Sequence, residues 1–111
     1  MEITETRSNA VVIVTVTGRL DATNAHAFEE KVLGLIEAGE TRLVVDCAQL
    51  DYISSAGLRV LLVAAKRLNA TGGKIVVAAL KDQIQQIFDI AGFSSMFQVY
   101  ATRDDAVAGV R

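Results

Sequence analysis

The segment that decides the fold is LVVDCAQLDYISSAGLRVLL, residues 43–62. It opens with a short, unbroken apolar run at residues 43–45, which is typical of a central parallel strand buried on both faces. It closes in a helical pattern, because apolar side chains recur every three or four residues between Ser55 and Ala70. A strand, a loop and a helix in this order predict one repeat of an α/β sheet.

Further strands are predicted on both sides of this segment. Residues 11–17 form a dense β-branched run closed by a glycine, and residues 74–78 form another apolar run after two glycines. The first residues predict an additional edge strand, joined to residues 11–17 by a hairpin turn near residues 8–9. Residues 97–100 predict a last edge strand.

Helices are predicted between these strands. Residues 22–38 and 82–91 carry apolar side chains at helical spacing, with Asp21 or Thr23 expected to cap the first of them and Thr102 a short final helix. Single helices between strands imply parallel pairing and right-handed crossovers. The predicted fold class is α/β: a mixed sheet, mostly parallel with an antiparallel N-terminal edge, packed with about four helices.

Composition predicts one ordinary globular domain, residues 1–111. The net charge of −2, from 11 basic and 13 acidic side chains, gives no field that would steer the chain to nucleic acid or an anionic membrane. No apolar run approaches the roughly 20 residues of a membrane helix. We therefore expect neither a nucleic acid nor a membrane as partner, and a monomer.

The first ten residues and the cysteine usage predict a cytoplasmic protein. The start of the chain has no basic and apolar regions of the kind that make a secretory signal. Cys47 is the only cysteine, so no internal disulfide can form and a reducing compartment is expected.

The sequence offers little to an enzyme. There is no glycine-rich phosphate loop, since Gly18 stands alone and residues 72–73 lead into a strand. Cys47 directly follows a buried strand, which favours simple core packing, and the only histidine, His26, is expected on a helix surface. No cluster of metal ligands is visible. We expect no catalysis, no cofactor and no metal.

The start of the second predicted helix carries two hydroxyl groups, Ser54 and Ser55, followed by the small residues Ala56 and Gly57. A helix N-terminus has unpaired N–H groups and a partial positive charge, so it tolerates a phosphate. Phosphorylation would add about −1.5 to −2 charges to this patch. The simpler interpretation is a helix cap worth about 1 kcal/mol, with Gly57 present for close packing.

With these segments the chain resembles the STAS domains of the anti-sigma factor antagonist (anti-anti-sigma) family. The resemblance covers essentially the whole chain. It is carried by the motifs GRLD (18–21), LVVD (43–46), YISSAGL (52–58), GG (72–73) and IAGF (90–93), and by Phe97.

The resemblance implies a partner-switching mechanism. The unphosphorylated protein is expected to bind an anti-sigma factor that is also a serine kinase, and so to free the sigma factor. The kinase then phosphorylates a serine at the start of the second helix and the complex dissociates. A metal-dependent serine phosphatase resets the switch. The catalytic residues belong to these partners, while this chain supplies the hydroxyl and the surface.

One departure from the family pattern concerns the acceptor serine. Family members often read Asp-Ser-Ser-Gly-Leu, with the second serine as the implied phosphoacceptor, and an ungapped match puts Ala56 at that position. We expect Ser55 to be the acceptor and Ser54 to be the second choice. If neither is modified, the protein is a constitutive binder.

A docking surface is expected around the mouth of this loop. Its predicted members are Asp21, Asp51, Tyr52, Ile53, Ser54, Ser55, Gly57 and Arg59. Asp21 has the alternative role of capping the first helix, Arg59 either pairs with an acidic partner residue or is solvated, and Asp46 is expected to order the loop through backbone N–H groups. The alternative function is a STAS accessory module that binds a small ligand or a membrane transport complex without phosphorylation.

Overall fold

The computed structural model describes residues 1–111, which form one six-stranded sheet with helices on both faces. The strands are β1 (Glu2–Ser8), β2 (Val11–Leu20), β3 (Arg42–Asp46), β4 (Leu50–Ile53), β5 (Lys74–Ala78) and β6 (Val99–Tyr100). The helices are α1 (Ala25–Glu37), α2 (Ser55–Ala70), α3 (Asp82–Ile90) and α4 (Arg103–Val110), with a short 3₁₀ helix at Phe93–Ser95.

The sheet has the strand order β1-β2-β3-β5-β6. Strand β1 is antiparallel to β2, whereas β2, β3, β5 and β6 run parallel to one another. This arrangement and the four α-helices confirm the predicted fold class. Strand β4 is an addition, since its residues were predicted as a loop: it pairs in parallel with the last residues of β2, beyond the point where β3 pairs.

The two faces of the sheet bury cores of different size. The helices α1, α2 and α3 cover one face over a cluster of 23 buried residues, while α4 covers the other over eight. Strand β2 shows the division, because Val12 and Val14 belong to the larger cluster and Val11 and Ile13 to the smaller one. Burial on both faces explains why the central strands read as unbroken apolar runs.

Helix α1 begins three residues later than predicted. Asn24 occupies its N-cap position and makes no side-chain capping bond, so the expected cap by Asp21 or Thr23 is wrong. Asp21 instead accepts hydrogen bonds from the backbone N and the hydroxyl of Thr23, at 3.0 and 2.6 Å, in the turn before the helix. Four polar or small residues, 21–24, precede α1. The conformation of this turn determines which of them occupies the N-cap position.

The predictions for the other helices differ in their outcome. Helix α2 has the expected bounds, and Thr102 caps α4 by accepting from the backbone N of Asp105 at 3.1 Å. Helix α3 ends at Ile90, one residue before the predicted end at Ala91. Ala91 was expected to face inward, but it is exposed.

The only cysteine and the only histidine lie where the sequence predicted. Cys47 is buried, and this burial raises the pKa of its thiol to about 12, so it stays neutral at physiological pH. His26 is exposed on α1 beside Glu29 and Glu30. No three histidine, cysteine, aspartate or glutamate side chains stand close enough to hold a metal ion. None of the helices combines the length and the apolar character that crossing a bilayer requires.

Candidate functional site

The pairing of β2 with β4 builds the site. Leu20 is in register with Ile53, and the backbone N of Ser54 donates to the carbonyl oxygen of Leu20 at 2.9 Å. Because the two strands are parallel, the residues that follow them leave the sheet at the same edge. Asp21 therefore begins the turn before α1 next to Ser54, which leads directly into α2.

Ser54 is the N-cap of α2. Its Oγ accepts from the backbone N of Gly57 at 3.3 Å, and its carbonyl oxygen accepts from the backbone N of Leu58 at 3.0 Å. The side chain is half-buried. The capping role that the simpler interpretation gave to one of the two serines thus belongs to Ser54.

Ser55 is the first residue of α2 and is exposed. No acidic residue lies in the first turn of this helix, so no carboxylate of α2 itself neutralises the positive end of its dipole. Of the two serines, Ser55 is the one whose hydroxyl faces solvent while its neighbour holds the helix start.

Two residues of the predicted docking surface lie in the core. Ile53 is only 2% exposed, and Gly57 is buried. A Cβ atom on Gly57 would stand 2.8 Å from Cγ of Leu20 and 2.9 Å from Cγ1 of Ile53. Both residues therefore pack beneath the start of α2, and we correct the predicted surface: Gly57 is covered, and Ile53 reaches the surface only in the lining of a groove between α2 and α3.

The remaining members of the predicted surface are exposed or half-buried. Asp51 forms an ion pair with Lys81, Nζ to Oδ1, at 2.5 Å. The guanidinium of Arg19 lies 4.4 Å from the centre of the Tyr52 ring, within the range of a cation–π contact. Arg59 is exposed and, four residues after Ser55, lies on the same side of α2.

Asp21 follows the end of β2 beside the serines, and its carboxylate accepts hydrogen bonds within its own turn. The hydrogen bonds from the hydroxyl and the backbone N of Thr23 hold the pKa of the Asp21 carboxyl below its usual range. Its carboxylate is therefore ionised at neutral pH and contributes a negative charge to the rim of the site.

A shallow apolar groove opens between α2 and α3, with a volume of about 330 Å³. One wall carries Ser54, Ser55 and Leu58, the other carries Ile87, Ile90 and Ala91, and Tyr52 and Ile53 of β4 complete the lining. We call it the α2–α3 groove. It was not predicted, because Ile87 and Ala91 were both expected to pack against the core, which Ile87 does in part while Ala91 is exposed.

A polar cluster anchors the loop that leads to the site. Asp46 accepts from the backbone N of Ala48 at 3.0 Å, which confirms its predicted role in ordering the loop. Its other oxygen accepts from Nε of Arg103 at 2.9 Å, and Arg103 also donates to the hydroxyl of Thr15 at 2.8 Å. The part played by Arg103 carried no signal in the sequence, since it lies 57 residues from Asp46.

Comparison with known proteins gives a consistent result. The family model of the STAS domain matches residues 2–106. The chain is 37% identical over 111 residues to the Bordetella bronchiseptica protein BtrV, which is named a putative anti-sigma factor antagonist; the match covers 100% of this chain and 96% of BtrV.

Two solved structures share the fold. One is a Thermotoga maritima protein described as a putative anti-sigma factor antagonist, with a TM-score of 0.93 and 20% identity, covering 98% of this chain and 94% of the other. The second is the Bacillus cell fate determinant SpoIIAA in its phosphorylated form, with a TM-score of 0.77 and 20% identity, covering 99% of this chain and 100% of the other.

Proposed function

Because the chain belongs to the STAS domain family, we propose that it is an anti-sigma factor antagonist that releases a sigma factor by binding its anti-sigma factor. The name of BtrV, its relative along the whole chain, supports this function. The observation that carries the proposal in the structure is the exposed Ser55 at the open mouth of α2.

We propose that binding is controlled by phosphorylation, with Ser55 as acceptor and Ser54 as second choice. The exposure of Ser55 supports this order, because a kinase must reach the hydroxyl, while the Ser54 hydroxyl already accepts from Gly57. The first turn of α2 holds no carboxylate that would repel a phosphate. A protein of the same fold, SpoIIAA, is known in a phosphorylated form.

The docking surface in this proposal consists of the exposed and half-buried residues around the mouth. They are Asp21, Asp51, Tyr52, Ser54, Ser55 and Arg59. Gly57 shapes this surface from beneath, and Ile53 contributes to it only as part of the lining of the α2–α3 groove.

A phosphate on Ser55 would act on this surface through charge. Ser55 and Arg59 are four residues apart on α2, a spacing that places Cβ atoms about 5–6 Å from each other. Arg59 makes no ion pair within the chain. The phosphate would therefore capture Arg59 and repel any acidic partner residue that Arg59 attracts in the unphosphorylated state.

The catalytic partners follow from this role. The anti-sigma factor is itself the serine kinase in our proposal, and a metal-dependent serine phosphatase removes the phosphate. The chain needs no cofactor, because it supplies only the hydroxyl and the surface. We place the exchange in the cytoplasm, where sigma factors meet RNA polymerase, and with a monomer of this chain.

Phosphorylation is tested with the purified chain, the kinase-type anti-sigma factor encoded in the same genome, and Mg-ATP. Intact-mass and peptide analysis should find one phosphate, on Ser55. The modification should persist in Ser54→Ala and vanish in Ser55→Ala. Absence of phosphate from both serines would defeat the switch, and co-purification with a membrane transporter would favour the accessory-module alternative.

Binding is tested by calorimetry with the same anti-sigma factor. Ser55→Ala should bind as the unmodified protein does, whereas Ser55→Asp should bind more weakly, because only the second variant adds charge. Equal affinities of the two variants would count against control by charge.

A further inference from the structure

Ile90 is a large apolar side chain in an unusual position. It is 88% exposed at the end of α3, although leaving such a side chain in water forfeits the free energy that its burial would provide. It adjoins the half-buried Ile87 and the exposed Ala91, and the buried Leu58 lines the same groove. These residues make the lining of the groove mostly apolar, as is typical of a concave site that receives an apolar group.

Packing of the protein's own core does not require this surface. Ile84 and Phe88, four residues apart, are fully buried and attach α3 to the sheet. Ile87 is half-buried against the core, and Ile90 extends the apolar side of the helix past it into the groove that Ser54 and Ser55 line. The helix thus carries an apolar surface wider than its attachment to the sheet uses.

We infer that the α2–α3 groove receives an apolar side chain of the anti-sigma factor, and that Ile90 is its principal contact. This inference rests on the proposed function and adds to it the chemistry of the partner and a contact on α3. The groove is continuous with the proposed switch, since Ser54 and Ser55 form part of its wall.

The charges near the groove define the occupant further. Asp51 is already paired with Lys81, whereas Arg59, adjacent to Ser55 on α2, has no carboxylate within the chain. The partner segment therefore combines a large apolar residue for the groove with an acidic residue for Arg59.

This arrangement links the groove to the phosphate. A phosphoryl group on Ser55 would place a strongly hydrated double charge at the edge of an apolar contact. Closing the contact would then require that group to lose water. Phosphorylation can release the partner in this way without any change in the fold.

The experiment is calorimetry of the full chain with the purified anti-sigma factor. Ile90→Ser should weaken binding by about tenfold to a hundredfold, because the partner loses an apolar side chain that it buries. Ile90→Val keeps most of the apolar surface and should weaken binding less than Ile90→Ser does. The matched control is Met96→Ser, since Met96 is 55% exposed but lies outside the groove, and its affinity should equal that of the unchanged protein.

The possible results separate the inference from the proposed function. If the unchanged protein binds and Ile90→Ser binds equally well, the inference is overturned and the function stands. If the unchanged protein does not bind, both fail. Unfolding temperatures of the variants, expected to be unchanged because Ile90 is exposed, show that the fold is intact. A dimer of the unchanged protein that Ile90→Ser abolishes would assign the groove to a second copy and overturn the inference.

Discussion

Helices α2 and α4 begin in the same way but differ in the residues after the cap. Ser54 accepts from the backbone N of Gly57 at 3.3 Å, and Thr102 accepts from the backbone N of Asp105 at 3.1 Å. The first turn of α4 then holds two carboxylates, Asp104 and Asp105, whereas the first turn of α2 holds none.

The first helical residue differs as well. In α4 it is Arg103, whose side chain is bound to Asp46 and Thr15, and in α2 it is the exposed Ser55. A hydroxyl cap is therefore a structural feature that both helices share. The distinguishing feature of α2 is an accessible second hydroxyl at a helix start whose first turn holds no carboxylate. Substitutions in and around the two helices test that distinction.

The largest effect on stability is expected from substitution of the glycines at which α2 and α4 pack closely against neighbouring side chains. Gly57→Ala should lower the free energy of unfolding by about 1–3 kcal/mol, because the added methyl meets the buried side chains of Leu20 and Ile53. Gly109→Ala should also destabilise the protein, because the added methyl of α4 would collide with the hydroxyl oxygen of Tyr100 and stand 2.5 Å from its Cζ, so this half-buried ring would have to move. Denaturant unfolding measures both.

The control for helix propensity is Gly34→Ala in α1, where an added Cβ meets nothing within 4 Å. It should stabilise the protein by about 0.5–1 kcal/mol. If Gly57→Ala is tolerated as well as Gly34→Ala, then Leu20 and Ile53 do not pack tightly beneath the start of α2 as we describe.

Loss of the Arg103 anchor should rank second. Arg103→Ala leaves Asp46, which is 7% exposed, without its cation and should cost about 1–2 kcal/mol, a value reduced because Arg103 itself is partly exposed. Arg59→Ala in α2 is the matched control and should stay within about 0.5 kcal/mol. If denaturant unfolding shows that the two variants lose equal free energy of unfolding, the two arginines have similar structural roles and Arg103 is not a special anchor.

The two caps should be nearly equivalent. Ser54→Ala and Thr102→Ala should each cost about 1 kcal/mol, because each removes one acceptor for a backbone N–H of the first turn. Thermal unfolding of the two variants gives the comparison. A negligible effect of Ser54→Ala would remove the reason for ranking Ser54 behind Ser55 as the acceptor.

A smaller effect of opposite sign is expected from charge at the two helix starts. Ser55→Asp should stabilise the isolated protein by about 0.3–1 kcal/mol, whereas Asp105→Ser should destabilise it by a similar amount. Both changes should shrink at high salt. If Ser55→Asp destabilises the protein in chemical unfolding, the N-terminus of α2 does not accept negative charge as proposed.

The smallest effect concerns Asp21 and pH. Its pKa is lowered in the folded state, so its contribution to stability is present above the unfolded value of about 3.9 and is lost as pH falls through the folded pKa. Thr23→Val removes the hydroxyl donor and should move the pKa of Asp21 back toward its ordinary value. NMR titration of the carboxyl group measures this, with Thr6→Val on β1 as a control that should leave it unchanged.

The sequence predicted most of the fold because its signals are local. Periodicity and β-branched runs identified five of the strands and all four helices, and the hydroxyl at Thr102 identified a cap. The start of α1 was wrong because Asp21, Thr23 and Asn24 compete as caps within four residues. Which of them occupies the N-cap depends on the turn between β2 and α1, in which Asp21 accepts from Thr23 and Asn24 accepts from the backbone N of Asp21.

Strand β4 had no comparable signal. Its four residues are too few for a clear alternation, and they become a strand only through pairing with the end of β2, some thirty residues earlier. The same pairing buries Ile53 and Gly57, which were predicted to lie at the surface.

The amino-acid sequence alone was enough for the α/β alternation, the bounds of α2 and the presence of two serines at its start, since each is encoded in the spacing of neighbouring residues. Tertiary structure was needed to establish that Ser54 is held in the cap while Ser55 is free, that Ile90 of α3 stands across a groove from them, and that Arg103 reaches Asp46. The reason is that these relations join side chains from elements far apart in the chain, and their positions depend on strand register and helix packing.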